Sequence, residues 1–471
     1  MKRTSGIVLG TMIICSMMLT GCSVNTKFFG HESAKTKASA EEKSAEAFDG
    51  VKKSTVMPEL DEYTEKCLEY TDKVNSNGYI LDESFYLWFY GRYGEATYKK
   101  LADSLEEGED SSVYQRLTGN TLHVLWIYYC ADLGVHKESL ENVHIKDSDN
   151  STDIVMNFAG DINFDENWET IRYADRNHIG IQDCLIDGLI DETRDADIMM
   201  VNNEFSYGNK GTPLAGKAYT FQARPDRARN MKILGVDIVS VANNHVFDYG
   251  ATGLNSTLET LEEYKIPYVG AGRNLEEASK IVYFVINGKK IAYTAATQIE
   301  RTYNYTKEAT ANTPGVLKTL NADKYVKVIK EAKKNADYVI AFVHWGTEGK
   351  VFFENDQVDL GRKFVNAGAD AVVGGHTHCL QGIEFYNDVP VFYSLGNFWF
   401  DWSEDNSHAT GMIQIVLHED GSCDYRFIPC YYDEYKTRLL NTEKERKAAY
   451  KHMEKLSYEI EIDKEGYITQ K

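Results

Sequence analysis

Beyond residue 153 the chain keeps to one grammar, in which a short apolar run alternates with a stretch that carries apolar residues at helical spacing. Runs at 154–159, 197–201, 238–242, 338–343 and 371–373 read as buried strands, and stretches at 181–192, 224–234, 250–264 and 358–367 read as helices. Strand–helix alternation on this scale predicts an α/β sheet with helices over its faces. Shorter runs at 383–386, 391–394 and 412–417 add antiparallel strands, and 442–456 reads as a surface helix.

Every strand of the alternating set stops in polar residues. The endings are FAGDINF with Asp161, VNNEF with Glu204, VANNHVFDYG with Asn244, His245 and Asp248, AFVHWGTEG with His344 and Glu348, and VVGGHTH with His376 and His378. Ligands of open α/β sheets bind outside the carboxyl ends of the strands, so five endings are expected to meet at one sheet edge. Residues at i and i+2 of an extended segment share a side, which aims the rings of His376 and His378 the same way. Carboxylates, imidazoles and a side-chain amide together suit Mn²⁺, Fe²⁺ or Zn²⁺. A carboxylate can bridge two such ions roughly 3.5–4 Å apart, and Glu204 is the only carboxylate at its strand end. Asn244 can offer its amide oxygen to one ion, and the adjacent His245 suits general-acid work near neutral pH.

Neighbouring residues admit two readings each. Asp248 caps the stretch starting at Gly250 or supports the site, or else takes a direct part in catalysis. Glu348 orients His344 or meets substrate. Asn397 in SLGNF supports the site or meets substrate at its rim, or, like Asp401 on that rim, serves a turn. The run Phe398–Trp402 is a packed loop or a polymer platform. Cys379 reads as a packed residue beside the site.

The other half of the chain sets context. Lys2 and Arg3 precede an apolar stretch from Ile7 to Leu19 that ends in Leu-Thr-Gly-Cys at Cys22. That stretch is too short to span a bilayer, and it resembles a lipoprotein signal peptide over residues 1–21 with Cys22 as the lipidated residue. Two acyl chains would anchor the mature protein outside the cytoplasmic membrane. Residues 22–59, rich in Lys, Glu, Ala and Ser, read as a flexible tether. Residues 60–147 carry helical spacing and many aromatics, which predicts a helical accessory domain. The polar patch 147–153 marks its boundary, with an α/β domain over 153–432 and a helical tail over 433–471. A net charge of -21 argues against a nucleic-acid partner, since phosphate binding needs a positive footprint. No CxxC spacing occurs, while Cys423 and Cys430 could pair in an oxidising compartment.

The series AGDINF, NNE, ANNHVFDYG, VHWGTEG, GGHTH and YSLGNF resembles the bacterial capsule-synthesis family, which includes CapA/PgsA-like proteins linked to poly-γ-glutamate production and export. That family is similar to calcineurin-like metallophosphoesterases, which implies a four-layer α/β sandwich behind the helical segment. The resemblance implies two divalent metal ions. Asp161 and His378 would serve one, Asn244, His344 and His376 the other, with Glu204 between them and His245 as general acid. Asn163 falls where those enzymes have a histidine ligand, and Glu204 where they have an aspartate. The implied activity is phosphoester hydrolysis or transfer on an anionic envelope polymer or its precursor. The alternative is a non-hydrolytic accessory of a membrane synthase complex.

Overall fold

Two sheets, not one, arise from the alternating half. The computed structural model describes residues 63–70, 81, 83–133, 142–146, 152–300, 305–401 and 408–471. One sheet has the strand order Leu185–Ile186, Lys436–Leu439, Cys423–Asp433, Ala409–Leu417, Ile154–Ile162, Ile198–Asn203, Ile238–Ser240 and Tyr268–Val269, with Asn397–Trp399 paired to the end of Ile154–Ile162. The other runs Val143–Ile145, Val282–Ile286, Lys289–Thr297, Tyr338–His344, Ala371–Gly375, Val389–Phe392 and Ile383–Tyr386.

Period-2 burial explains how they stack. Met156 and Phe158 of one sheet join Tyr293, Ile340, Phe342 and Val373 of the other in a core between them. Ala159 and, past a register shift between Phe158 and Asp161, Ile162 face outward, onto a cluster that includes Leu254, Leu258 and Leu261 of helix Gly250–Glu263. On the far side, Tyr325, Ile329 and Ala332 of helix Asp323–Asn335 cover Val339, Ala341 and Val343. Helix, sheet, sheet and helix make the four-layer sandwich.

The helical segment packs against this body. Helices Glu83–Glu106, kinked at Gly94, Ser112–Thr118 and Leu122–Leu133 bury Phe85, Tyr86, Phe89, Tyr98 and Tyr114 together with Val285 of the second sheet. The aromatics are therefore packing surface. A second tie is the 2.7 Å contact between His123 Nε2 and Lys290 Nζ.

Several sequence expectations need correction. The sandwich begins before the 147–153 patch, because Val143–Ile145 pairs in parallel with Val282–Ile286. It also continues past 432, since Lys436–Leu439 is a sheet strand and helix Glu443–Leu456 buries Tyr450, Met453 and Leu456 in the inter-sheet core. That helix is not a surface tail, and a hairpin of Ile460–Ile462 and Ile468–Gln470 comes after it. The expected helix at 181–192 is broken into a 3-10 turn, the strand Leu185–Ile186 and helix Leu189–Arg194. Asp187 and Gly188 interrupt it with φ of 62° and 89°. Cys423 and Cys430 are free thiols on one extended strand, seven positions and so roughly 23 Å apart, far beyond disulfide reach. Cys379 is fully buried. The signal stretch, Cys22, the tether and Trp402 lie outside the described residues. Among the described residues no helix is long and apolar enough to cross a membrane.

Candidate metal centre

The five endings meet where the two sheets face each other, not along one edge. Asp161, Glu204, Asn244 and His245 come from the first sheet, and His344, His376 and His378 from the second. The Gly-Gly before the histidines sits in close quarters, Gly374 against the neighbouring strand of its own sheet and Gly375 against Asp161 of the other sheet. A Cβ on Gly374 would lie 2.0 Å from the Tyr393 carbonyl oxygen, and one on Gly375 would lie 2.8 Å from Asp161 Oδ1. His376 and His378 then take φ of 97° and 56°, turning the backbone so that both rings stay buried.

Asp161 is fully buried; its Oδ1 accepts from Asn202 Nδ2 at 2.7 Å and its Oδ2 from the His376 amide at 3.2 Å. Glu204 is also fully buried. One oxygen accepts from Asn202 Nδ2 at 3.3 Å, while Oε1 accepts no hydrogen bond and lies 3.3 Å from His344 Nε2. His344 Nε2 is also 2.7 Å from Asn244 Oδ1. His378 Nδ1 meets Asn397 Oδ1 at 2.8 Å, and its ring packs on Phe400. Ligand atoms of Glu204, His344 and His376 lie within 4.8 Å of one another, and so do those of Asp161, Glu204 and His378. Glu204 belongs to both groups.

Electrostatics fit a cation here. Burial, with the charge of Glu204 next, pushes the Asp161 carboxyl well above its usual range. Burial and the charge of Glu348 do the same to Glu204. Burial lowers His344 to about 4 and His378 to about 3, which keeps both rings neutral with a lone pair to offer. Two destabilised carboxylates, neutral imidazoles, an amide oxygen and an orphaned Glu204 oxygen form a donor set that a divalent ion would complete.

The remaining residues surround this set. His245 Nδ1 is 2.7 Å from Asp248 Oδ2, and its ring lies tilted by 39° against Phe221, with centroids 4.4 Å apart. Asp248 does not cap the helix at Gly250, whose N-cap is Tyr249 without a side-chain bond. It instead accepts from the Phe221 amide at 2.7 Å and pairs with Lys217 at 2.7 Å. Lys217 Nζ also donates to the Asn244 carbonyl. Asn397 is buried, and its Oδ1 lies 2.8 Å from His378 Nδ1. Asp401 accepts from Tyr432 Oη at 3.2 Å. Glu348 sits on an exposed loop fastened by Gly349 N to the Thr377 carbonyl at 2.9 Å, and it makes no bond to His344 among the described residues. Asn163 Oδ1 is taken by the Asp165 amide at 2.8 Å.

Sequence reasoning missed Asn202, Asn243 and Lys217. Asn202 touches Asp161, Glu204 and, at 3.2 Å, His344 Nδ1, so one amide braces three members of the donor set. Asn243 Nδ2 supports it, donating to Asn202 Oδ1 at 3.1 Å and the Asn203 carbonyl at 2.8 Å. The doubled asparagines of VNNE and ANNH were the available signal.

The chain is similar to known proteins. The family model described as "Bacterial capsule synthesis protein PGA_cap" matches residues 155–402. "Capsule biosynthesis protein CapA" of Bacillus anthracis is 32% identical over 245 residues, which cover 51% of this chain and 59% of that protein. "PGA biosynthesis protein CapA" of Bacillus subtilis (strain 168) is 36% identical over 220 residues, covering 46% of this chain and 56% of that protein. A "Probable polyglutamine synthesis accessory protein" of Mycobacterium tuberculosis is 24% identical over 233 residues, or 48% of this chain and 61% of the relative. The chain thus spans less than two thirds of each of these relatives.

Proposed function

Because the chain belongs to the bacterial capsule synthesis protein PGA_cap family, we propose that it acts in the synthesis of a capsule or poly-γ-glutamate-type polymer. Its centre would carry out metal-dependent phosphoester hydrolysis or transfer on that anionic polymer or its precursor. The observation that carries this reading is the pair of donor groups sharing Glu204. Asp161 and His378 would hold one ion, and His344, His376 and Asn244 the other. Mn²⁺, Fe²⁺ or Zn²⁺ all suit the donors. When bound, such ions supply positive charge for phosphoryl oxygens.

The chain's own residues supply the rest. Asp248 holds His245 through Nδ1 and favours the imidazolium, whose Nε2–H would deliver a proton to a leaving oxygen. Lys217 fixes Asp248 in turn, and Phe221 shields one face of the imidazole from water. Turnover of a generic phosphodiester by the metal-loaded full chain tests the reading. His245→Ala should cost about 10²–10⁴ in rate and leave metal content unchanged. Metal bound at the centre, with no hydrolysis of phosphodiesters or pyrophosphates, would sink it.

A non-hydrolytic accessory of a membrane synthase or export complex is the second reading. It is favoured by Asn163, whose carboxamide oxygen is occupied by the Asp165 amide instead of being offered to the centre. We place the protein outside the cytoplasmic membrane, anchored through lipid on Cys22. Cys22→Ser should release it into the soluble fraction, and unchanged membrane retention refutes the anchor.

A further inference from the structure

Next to the centre lies a buried positive charge that neither metal binding nor proton delivery by His245 employs. Thr297 pairs with His344 across the second sheet, and Thr297 is bridged in parallel to Lys318. Residues paired across a ladder share a face, so Lys318 stands on the face of His344 two strand spacings away, roughly 10 Å. Leu317 faces the outer helices, which is consistent with its neighbour Lys318 facing the other way. Lys318 is only 4% exposed.

The surrounding charges are Glu300, Glu308, Lys307 and Lys217. Both carboxylates are committed elsewhere. Glu300 Oε1 pairs with Lys217 at 3.1 Å, and its other oxygen accepts from the Thr306 amide. Glu308 pairs with Lys324 at 2.6 Å. Lys217 is itself taken by Asp248 and the Asn244 carbonyl. Lys318 makes no ion pair or hydrogen bond among the described residues. Glu300 and Glu308 are thus shared with Lys217 and Lys324, which leaves Lys318 without a direct partner of its own.

We infer that Lys318 is the anion-binding residue of a subsite beside the metal centre, taking a carboxylate or phosphate group of an anionic substrate. Burial lowers the ammonium from its ordinary value, a shift that Glu300 and Glu308 oppose without cancelling. The inference deepens the polymer reading and rests on it for the identity of the anion.

Calorimetric titration of the full chain with a γ-linked oligoglutamate, and in a separate arm with inorganic phosphate, tests it. Wild type is compared with Lys318→Met and Lys318→Arg. Binding of at least one probe should weaken about tenfold or more in Lys318→Met and stay within about threefold in Lys318→Arg. Without any probe, Lys318→Met should melt at or above wild type, because a buried unpaired charge has been removed. Phosphate binding that depends on Lys318, with no oligoglutamate binding, upholds the subsite and sinks the carboxylate-polymer reading. The inference is overturned if Lys318→Met binds both probes like wild type, if wild type binds neither, or if Lys318→Met melts below wild type.

Discussion

Replacing Glu204 by glutamine should move metal affinity and metal-free stability in opposite directions. Glutamine keeps the volume and the acceptor that Asn202 Nδ2 uses at 3.3 Å. It removes a buried negative charge beside Asp161 and weakens a ligand common to both donor groups. Losing a partner one shell outside a metal costs 10–100-fold, so a shared direct ligand should cost at least about 100-fold, or about 2.7 kcal/mol. Metal-free, the burial that raises the Glu204 carboxyl favours its protonated form. Such a group contributes its stability below its unfolded value of 4.5, and loses it as pH rises toward the higher folded value. Glu204→Gln abolishes that loss, so at pH 8 the metal-free variant should melt about 2 °C or more above wild type. Calorimetric titration with Mn²⁺ or Zn²⁺, and thermal unfolding in chelator, read the two effects. Wild-type affinity in the variant, or a lower metal-free melting temperature, refutes the reasoning.

Other expectations rest on single contacts. Asn397→Leu removes the 2.8 Å bond to His378 Nδ1 and should weaken metal binding about 10–100-fold by titration, with the fold intact by circular dichroism. Gly374→Ala puts a methyl 2.0 Å from a backbone oxygen and should destabilise by about 3 kcal/mol or more in denaturant melts, whether or not metal is present. His123 is lowered to about 3, first by burial and then by Lys290. Its unfolded form takes up a proton near 6.5, so the stability it contributes is present above that pH and lost as pH falls toward 3. His123→Gln should therefore show a shallower loss of stability than wild type across that window.

The ends of the buried strands were legible because strand-end chemistry is local: apolar runs must stop, and the residues after them are polar. How the strands divide into two sheets was not, because periodicity names a face without saying which sheet covers it. The hairpin of Val282–Ile286 and Lys289–Thr297 escaped notice although its Asn287–Gly288 turn, with φ of 48° and 77°, carries the usual hairpin signal. The break at Asp187–Gly188 was readable on the same grounds. Asn202 was not, since a bracing amide looks like any polar residue until the groups on either side of it come from different strands. Lys318 is subtler still: its meaning depends on neighbouring carboxylates already being engaged.

A site divided between two sheets also has a consequence for how the molecule forms. The Asp161–His376 bond joins residues 215 positions apart, and the Asn244–His344 contact joins residues 100 apart. Closing loops of that length is slow, and it precedes any reward from the contacts it makes possible. No early local structure holds the full donor set, so metal cannot nucleate folding as it does in a zinc finger. Residue 397 must be in place before His378 has its brace, and any metal would join a body that is already built.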